Sequence, residues 1–163
     1  MNKSIKALHD ADQRDRQDLP KFGTKAFKKR VSGMSARDKV RQKKVEHILK
    51  THKNLDEVDY YHAAMVFQHS QMNQKRAVML AKKSMNMGNE KAKWLYAAAY
   101  DRMLRGEGKK QKYGTQFWLI KNGKAKVQPY DKRTSDKTRE KFNVPPIEQK
   151  LKEIQKINRA RKS

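Results

Sequence analysis

Apolar residues recur at intervals of three and four positions along most of this chain, which is the spacing of one face of an α-helix. Ile5, Leu8 and Ala11 follow this spacing near the start of the chain. The same pattern predicts helices over about residues 3–17, 36–52, 74–87 and 89–105, with a further helix beginning near Val58. The protein is therefore expected to be mainly α-helical.

The helix beginning near Val58 differs from the others because it is apolar round its whole circumference between Tyr60 and Phe67. A helix of this kind is buried on several sides. The next two helices end at Gly88 and Gly106, and they carry alanines where two helices would touch. We therefore expect a helix-turn-helix core around the apolar helix.

The apolar period changes from helical to strand-like after Gly114. The sequence TQFWLIK is followed by Asn122-Gly123, the dipeptide that best suits a two-residue type I′ turn, and then by KAKVQPY. One β-hairpin is therefore predicted near residues 115–130. A short helix over about residues 134–142 and a last amphipathic helix starting at Pro145-Pro146 complete the prediction.

The predicted organisation is a single small helical domain. Leu19-Pro20 and Gly23 break the first helix, while Ser35, with Asp38 three positions later, resembles a helix N-cap. A chain of 163 residues with 36% hydrophobic content has room for one modest core. The predicted parts are an N-terminal helix (1–20), a basic loop or insert (21–34), and a helical domain with the hairpin and the C-terminal amphipathic helix (35–163).

The composition excludes several classes of protein. There is no cysteine, so disulfides, thiolate metal sites and cysteine nucleophiles are absent. No apolar run approaches the roughly 18 residues of a membrane span, and the first residues lack a hydrophobic signal segment. We therefore expect a cytoplasmic protein without a transmembrane segment. The motifs of phosphate loops, dinucleotide folds, zinc proteases and nucleophile elbows are also missing.

The charge is strongly positive, with 41 Lys and Arg against 17 Asp and Glu and a formal net charge of +24. Residues 21–33 contain five basic residues and no acidic one, with Phe22 and Phe27 between them. Such a segment attracts polyanions, so RNA or DNA is one candidate partner. The other interpretation is a solvated, lysine-rich surface. The candidate polyanion contacts are Lys21, Lys25, Lys28, Lys29 and Arg30.

Polar groups follow directly on the helix over residues 89–105. Asp101 and Arg102 continue its apolar rows and are expected to be partly buried. An aspartate in the last turn faces the negative end of the helix dipole, so Asp101 needs a donor or a cation as its partner. A recognition site and a structural clamp between helix and loop both meet this need.

The loop after this helix contains one glycine, Gly114, which suggests a positive φ or a close approach of the backbone. Uncharged donors and acceptors surround it. They suit ligand recognition, and they equally suit a turn into the first strand. These residues are Gln111, Tyr113, Thr115 and Gln116.

His62 and His69 are seven positions apart, on nearly the same face of the apolar helix. This spacing is poor for a metal, and no further His or Cys cluster supplies ligands, so we expect neither a metal nor a cofactor. His69 is a candidate general acid or base, with a hydrogen-bonded core histidine as the alternative.

Three segments together resemble an uncharacterised bacterial domain family of unknown function, whose marks are an AAMxxQH helix, a DR pair and a Q-x-YGTQ loop. They read HAAMVFQH at 62–69, DR at 101–102 and QKYGTQF at 111–117, and the segments at 10–16 and 143–147 are similar to further parts of the family. The resemblance implies that one polar site is formed by Asp12, Gln13, Arg16, His62, Gln68, His69, Asp101, Arg102, Gln111, Tyr113, Gly114, Thr115 and Gln116.

Residues 77–108 also resemble the helix-turn-helix of Sel-one-like tetratricopeptide repeats, with small residues where the helices touch. Only one unit is visible in the sequence. Because a solenoid needs about three stacked repeats, the resemblance implies a helical hairpin inside a globular domain.

Three functions are consistent with these patterns. The favoured one is a binding module that holds an anionic ligand or partner in a polar pocket, with Arg102, Gln111 and Gln116 as donors. The second is a small metal-independent enzyme with His69 or Asp101 as general base and Arg102 stabilising negative charge. The third is non-specific binding of RNA or DNA through the basic flanks.

Overall fold

The computed structural model describes residues 1–17, 19–20, 23–69, 73–119 and 124–160. Within these ranges the chain forms seven α-helices and one two-stranded antiparallel sheet, so the predicted mainly α fold with one β-hairpin is confirmed. The helices are α1 (Lys3–Arg16), α2 (Lys25–Thr51), α3 (Glu57–Phe67), α4 (Gln74–Asn86), α5 (Lys91–Gly106), α6 (Asp136–Glu140) and α7 (Ile147–Ala160), and the strands are β1 (Phe117–Leu119) and β2 (Ala125–Val127).

Helix α3 lies at the centre of the main hydrophobic core. Its N-terminus is fixed by a capping box, in which Asp56 accepts from the backbone of Asp59 and the Asp59 side chain accepts in return. Ala63, Ala64 and Val66 are fully buried. The neighbours of α3 in this core come from α1, α2, α4 and α5, which confirms the burial predicted from its all-round apolar sequence.

Helices α4 and α5 form an antiparallel pair whose contact is rich in small residues. Ala77 and Ala81 of α4 are fully buried, as are Ala92 and Ala99 of α5, so the two backbones approach closely. The structure therefore contains the predicted helical hairpin, and its boundaries lie within one or two residues of the predicted ones.

The start of α2 corrects the sequence prediction of a basic loop over residues 21–34 and of an N-cap at Ser35. The helix begins at Lys25, and its cap is Thr24, whose Oγ1 accepts from the Phe27 N–H at 3.1 Å. Ser35 lies in the interior of α2. Residues 21 and 22 lie outside the described residues.

The physical reason for this longer helix is the composition of its first turns. Residues 25–32 contain neither glycine nor proline, and alanine, lysine and arginine are good helix formers. Gly33 alone costs about 1 kcal/mol in a helix interior, which one good cap and a continuous run of helix formers offset. The cap signal at Ser35 was therefore a poor reason to begin the helix there.

The β-hairpin pairs Phe117 with Val127 and Leu119 with Ala125. Its predicted turn at residues 122–123 lies outside the described residues. Helix α7 packs on β2, where the Asn158 side chain accepts from the Ala125 N–H at 2.5 Å and donates to the Ala125 carbonyl oxygen at 2.9 Å. The predicted amphipathic last helix thus lies on the hairpin, with Ile154 buried against it.

In the described part of the chain, none of the helices has the length and apolar content needed to cross a membrane.

Candidate functional site

Asp101, in the last turns of α5, fastens the loop over residues 111–116 to the end of that helix. Its carboxylate is fully buried. Oδ1 accepts from the backbone N–H groups of Lys112 at 2.7 Å and Tyr113 at 2.9 Å. Oδ2 accepts from the backbone N–H of Thr115 at 2.9 Å and from its hydroxyl at 2.8 Å. Four donors therefore compensate both the burial of the charge and the unfavourable helix dipole.

The side chain of Gln111 closes the same loop on itself and on the hairpin. It is fully buried. Its Nε2 donates to the carbonyl oxygens of Gln116 at 3.0 Å and Gln128 at 2.8 Å, while its Oε1 accepts from the Gln116 N–H at 2.8 Å. The Gln116 side chain in turn donates to Thr115 Oγ1 at 2.8 Å. These side-chain amides of the loop thus form hydrogen bonds within the protein.

Tyr113 and Gly114 complete the anchoring of this loop, which we call the clamp loop (residues 111–116). The Tyr113 ring lies 4.9 Å from the ring of Phe142, measured between centroids, in a small core with Val144. Gly114 has φ +81°, and a Cβ there would lie 2.8 Å from Cδ1 of Ile147. Both the positive φ and the close approach predicted for this glycine are confirmed.

Three acids and three arginines form an ion-pair network where α1 meets α2. Arg16 binds Asp12 through Nη1 at 2.7 Å and Asp38 through Nη2 at 2.8 Å. Arg41 binds Asp38 at 2.6 Å and Asp15 at 2.7 Å. The sixth member is Arg37, whose Nε lies 2.8 Å from Asp15. The charges of the network balance one another.

The end of α3 and the last turns of α5 meet this network through a group that we call the polar junction: Asp12, Gln13, Arg16, Gln68, His69 and Arg102. The Nε2 of Gln13 donates to Asp12 Oδ2 at 2.9 Å, and Nε2 of His69 lies 3.8 Å from the same oxygen. Arg102 donates from Nη1 to Oε1 of Gln68. The C-terminal parts of α1, α3 and α5 thereby contribute to one set of polar side chains.

Burial shifts the two titratable groups of the polar junction in opposite directions. Burial raises the pKa of Asp12 to about 6, in spite of the opposing charges of Arg16 and Arg41. Burial also lowers the pKa of His69 to about 3, and the positive charges of Arg16, Arg102 and Arg41 add to this effect. At pH 7 Asp12 is therefore ionised and His69 is neutral.

These shifts predict how stability depends on pH. The raised pKa of Asp12 favours the folded state increasingly as pH falls from about 6 to its ordinary value of 3.8, whereas the lowered pKa of His69 disfavours it as pH falls from 6.5 to about 3. The two effects oppose each other over most of this window. Replacing His69 with glutamine removes the destabilising effect of the histidine. On going from pH 7 to pH 5, the free energy of unfolding of His69→Gln should therefore increase by about 2 kcal/mol relative to that of the wild type.

Urea unfolding of the two proteins at both pH values measures this difference. His47→Gln is the control, because His47 is exposed on α2 and its side chain forms no hydrogen bond with a described residue. A His69→Gln variant whose stability runs parallel to the wild type between pH 7 and pH 5 would contradict the burial effect.

His62 lies apart from both the polar junction and the clamp loop. Its ring stacks on that of His9 from α1, with 4.3 Å between centroids. Burial, together with the neighbouring His9, lowers its pKa, and its Nδ1 is buried without a hydrogen-bond partner among the described residues. The structure places His62 in the packing between α1 and α3.

The thirteen residues that the family resemblance brings to one site thus occupy three places. Six of them form the polar junction, and His62 packs against His9. The remaining six belong to the clamp or its anchor: Asp101, Gln111, Tyr113, Gly114, Thr115 and Gln116. Of the two alternatives for Asp101, the clamp between helix and loop is the one that the contacts match.

Sequence reasoning missed four members of the ion-pair network, Asp15, Arg37, Asp38 and Arg41. The Arg41 side chain is only 8% exposed. A signal was present, since Asp12 and Arg16 are four positions apart and Asp38 and Arg41 three apart, the spacings at which helical ion pairs form.

Four of the five residues predicted to contact polyanions lie on the first turns of α2. Lys25, Lys28, Lys29 and Arg30 are exposed, and Lys21 lies outside the described residues. Among the described residues there is no group of three or more His, Asp or Glu side chains arranged to hold a metal ion.

Comparisons with known proteins give no relative from which a function could be transferred. No protein-family model matches the chain. No curated protein and no solved structure matches it either. The function must therefore be argued from the residues and their contacts.

Proposed function

We propose that this protein is a binding module that holds an anionic group at the polar junction, with Arg102 as the principal donor. The observation that carries the proposal is the state of the Arg102 guanidinium. It is half-buried, its one hydrogen bond within the described residues goes to the neutral Gln68, and it has no carboxylate within ion-pair distance there.

A half-buried guanidinium with one neutral acceptor is an unusual arrangement. Arginine carries five N–H donors, and removing its charge from water costs free energy unless an anion compensates it. Burial, together with the charge of Arg105, lowers the pKa of Arg102, and the nearby charge of Asp101 opposes this only in part. A carboxylate or phosphate group would supply two acceptors in the geometry that a guanidinium prefers.

The surroundings of Arg102 favour an anion over a cation. The negative charges of Asp12 and Asp38 are already paired with Arg16 and Arg41. His69 lies within electrostatic range of Arg16, Arg41 and Arg102 and is neutral at pH 7, so it can donate one hydrogen bond without adding repulsion.

The alternative of a small metal-independent enzyme has less support. A histidine with a pKa of about 3 is a weak base at neutral pH, because efficient general bases have pKa values near the working pH. Asp101, the other candidate base, already accepts four hydrogen bonds from the clamp loop. His69 is thus too weak a base, and the oxygens of Asp101 are already occupied by hydrogen-bond donors.

The family resemblance fits this proposal if its motif positions serve two purposes. The AAMxxQH helix contributes Gln68 and His69 to anion binding, together with the arginine of the DR pair. The aspartate of that pair and the Q-x-YGTQ loop would then hold the end of α5 in position. Membership of that family, like the Sel-one-like character of α4 and α5, stays a prediction.

The test is a comparison of Arg102→Gln with Arg105→Gln, since both variants remove one positive charge from the last turns of α5. Arg105 is exposed and forms no ion pair with a described residue. The probes are inorganic phosphate, pyrophosphate and citrate, and binding is measured by calorimetry at constant ionic strength. We expect Arg102→Gln to lower the affinity for the best-bound probe about 10- to 100-fold, because hydrogen bonds to charged groups contribute about 1.5–3 kcal/mol. Arg105→Gln should change the same affinity less than threefold.

The pH dependence provides a second readout of the same proposal. Protonation of Asp12 near pH 6 removes a negative charge beside Arg16, so the affinity for the anion, corrected for the protonation of the probe itself, should increase as pH falls from 7 to 5.5. Equal weakening by the two arginine variants, or no binding of any probe at millimolar concentration, would refute the proposal.

A further inference from the structure

One face of α2 carries lysines along its whole length. We call these residues the lysine stripe: Lys25, Lys28, Lys29, Lys39, Lys43 and Lys50. All six are exposed. With Ser32, Ala36 and His47 between them, they follow the alternating three- and four-residue spacing that keeps side chains on one face of a helix.

The stripe lies opposite the buried face of the helix. The apolar residues that α2 buries are Met34, Val45 and Ile48, and at 100° per residue their mean direction is about 180° from that of the six lysines. Because the apolar face of α2 packs on the core, the opposite face, which carries the stripe, is directed at solvent along its length.

Among the described residues, no acidic side chain is paired with this stripe. The six lysines form no ion pair with a described residue. The two acids of α2 are used elsewhere, since Asp38 binds Arg16 and Arg41 while Glu46 binds Arg76. An unpaired row of like charges raises the electrostatic free energy of the free protein and attracts a polyanion.

The dimensions of the stripe fit a regular double helix. From residue 25 to residue 50 it is about 38 Å long at 1.5 Å per residue, close to the roughly 34–36 Å of one turn of duplex DNA. A straight row of lysines of this length can reach phosphates on both sides of a groove, where each neutralised phosphate releases counterions.

We propose that the lysine stripe binds the sugar-phosphate backbone of a nucleic-acid duplex without reading its sequence. Single strands are usually bound by aromatic side chains on which bases stack, and the stripe contains no Phe, Tyr or Trp. Membrane-surface helices insert large apolar residues, and protein interfaces are depleted of lysine at their centres. The stripe has neither feature of these alternatives, since the residues between its lysines are Ser32, Ala36 and His47.

This inference goes beyond the anion site at Arg102 and extends the predicted polyanion contacts. Three of the six stripe lysines, Lys25, Lys28 and Lys29, were indicated by the charge of residues 21–33. The other three join them because the segment is a helix continuous with the rest of α2. Arg30, although exposed, lies about 150° away from the stripe.

The experiment compares two variants that each remove four positive charges. The first replaces stripe residues (Lys28→Gln, Lys29→Gln, Lys39→Gln and Lys43→Gln). The matched control replaces four exposed lysines on other elements that form no ion pair with a described residue (Lys82→Gln, Lys91→Gln, Lys137→Gln and Lys141→Gln). Fluorescence anisotropy with a 20-base-pair DNA duplex, a 20-base-pair RNA duplex and a 20-nucleotide single strand is measured from 50 to 300 mM salt.

We expect the stripe variant to lose about 3–4 units from the slope of log affinity against log salt concentration, since each phosphate contact contributes about 0.9. Its affinity for the duplex should fall on the order of 10- to 100-fold at 0.1 M salt. The control should lose less than one unit. The DNA and RNA arms decide which duplex is preferred, and either preference supports the proposal.

Three outcomes would overturn the inference. Equal losses in the stripe and control variants would mean that total charge, and not the stripe, binds nucleic acid. Tighter binding of the single strand than of either duplex would contradict the backbone geometry. Binding to vesicles of anionic lipid that depends on the stripe, with duplex binding unchanged, would assign the surface to membranes. Arg102→Gln should leave duplex binding intact, which separates failure here from failure of the proposed anion site.

Discussion

Replacing Asp101 with asparagine should lower the free energy of unfolding by about 2–4 kcal/mol, and the melting temperature by about 5–12 °C. The carboxylate is fully buried and accepts four hydrogen bonds from the clamp loop. An asparagine amide accepts on its oxygen alone, and its NH₂ group would face donors of Lys112 and Tyr113 or of Thr115. Buried N–H groups are then left without acceptors, which costs about 1–3 kcal/mol each.

Thermal and urea unfolding of Asp101→Asn measure this loss. Asp131→Asn is the matched control. The Asp131 carboxylate also accepts a hydrogen bond from a nearby backbone N–H, that of Arg133, but its ion-pair partner Arg133 is 91% exposed. We expect little change in the melting temperature of the control. If Asp101→Asn unfolds like the wild type and loses anion binding instead, Asp101 belongs to the binding site and the clamp interpretation is wrong.

Replacing Tyr113 with alanine should have an effect of similar or larger size, about 3–5 kcal/mol. The ring is 2% exposed and packs in a small core with Tyr100, Phe142 and Val144. Alanine would leave a cavity that this core cannot close, since the clamp loop is held on both sides by Asp101 and Gln111.

Tyr113→Phe is the control for this prediction. The Tyr113 hydroxyl forms no hydrogen bond with a described residue, so the phenylalanine variant should unfold within about 1 kcal/mol of the wild type. A large destabilisation by Tyr113→Phe would show that the hydroxyl, and not the ring, is the important group, and would reopen the question of ligand recognition at this tyrosine.

Taken together, the two variants separate the clamp loop from the polar junction. If both reduce stability while Arg102→Gln reduces anion affinity without doing so, the two residues of the Asp101-Arg102 pair have different functions. Neighbours on a helix point about 100° apart, and the contacts follow that direction: Asp101 binds the clamp loop and Arg102 binds Gln68.

The helices of the core were predictable because their signals are local. The positions of α4 and α5 follow from periodic alanines and from the glycines after each helix, and the burial of α3 follows from an apolar circumference. The β-hairpin was predictable for the same reason, since a change to strand-like alternation needs a few neighbouring residues only.

The first turns of α2 were not predicted, because Ser35 with Asp38 three positions later resembles an N-cap and so indicated a later start. Residues 25–34 are as rich in lysine as a disordered segment, but they continue a helix whose later turns are packed on the core, so adding a turn does not require a new helix nucleus. Because extending an existing helix avoids the cost of nucleation, the basic residues form one face of a long helix and not a loop.

Local signals along the chain are enough to predict the helices of the core, which helix is buried, the excess of positive charge and the need of Asp101 for a partner. The identity of that partner, the joint burial of Arg41 and Asp38, and the contact of Arg102 with Gln68 without a carboxylate follow from the folded structure alone. The physical reason is the range of the interactions. Periodicity and capping depend on residues within one or two turns, whereas the partner of a buried charge comes from another element, 22 positions away for Arg16 and Asp38 and 34 for Arg102 and Gln68.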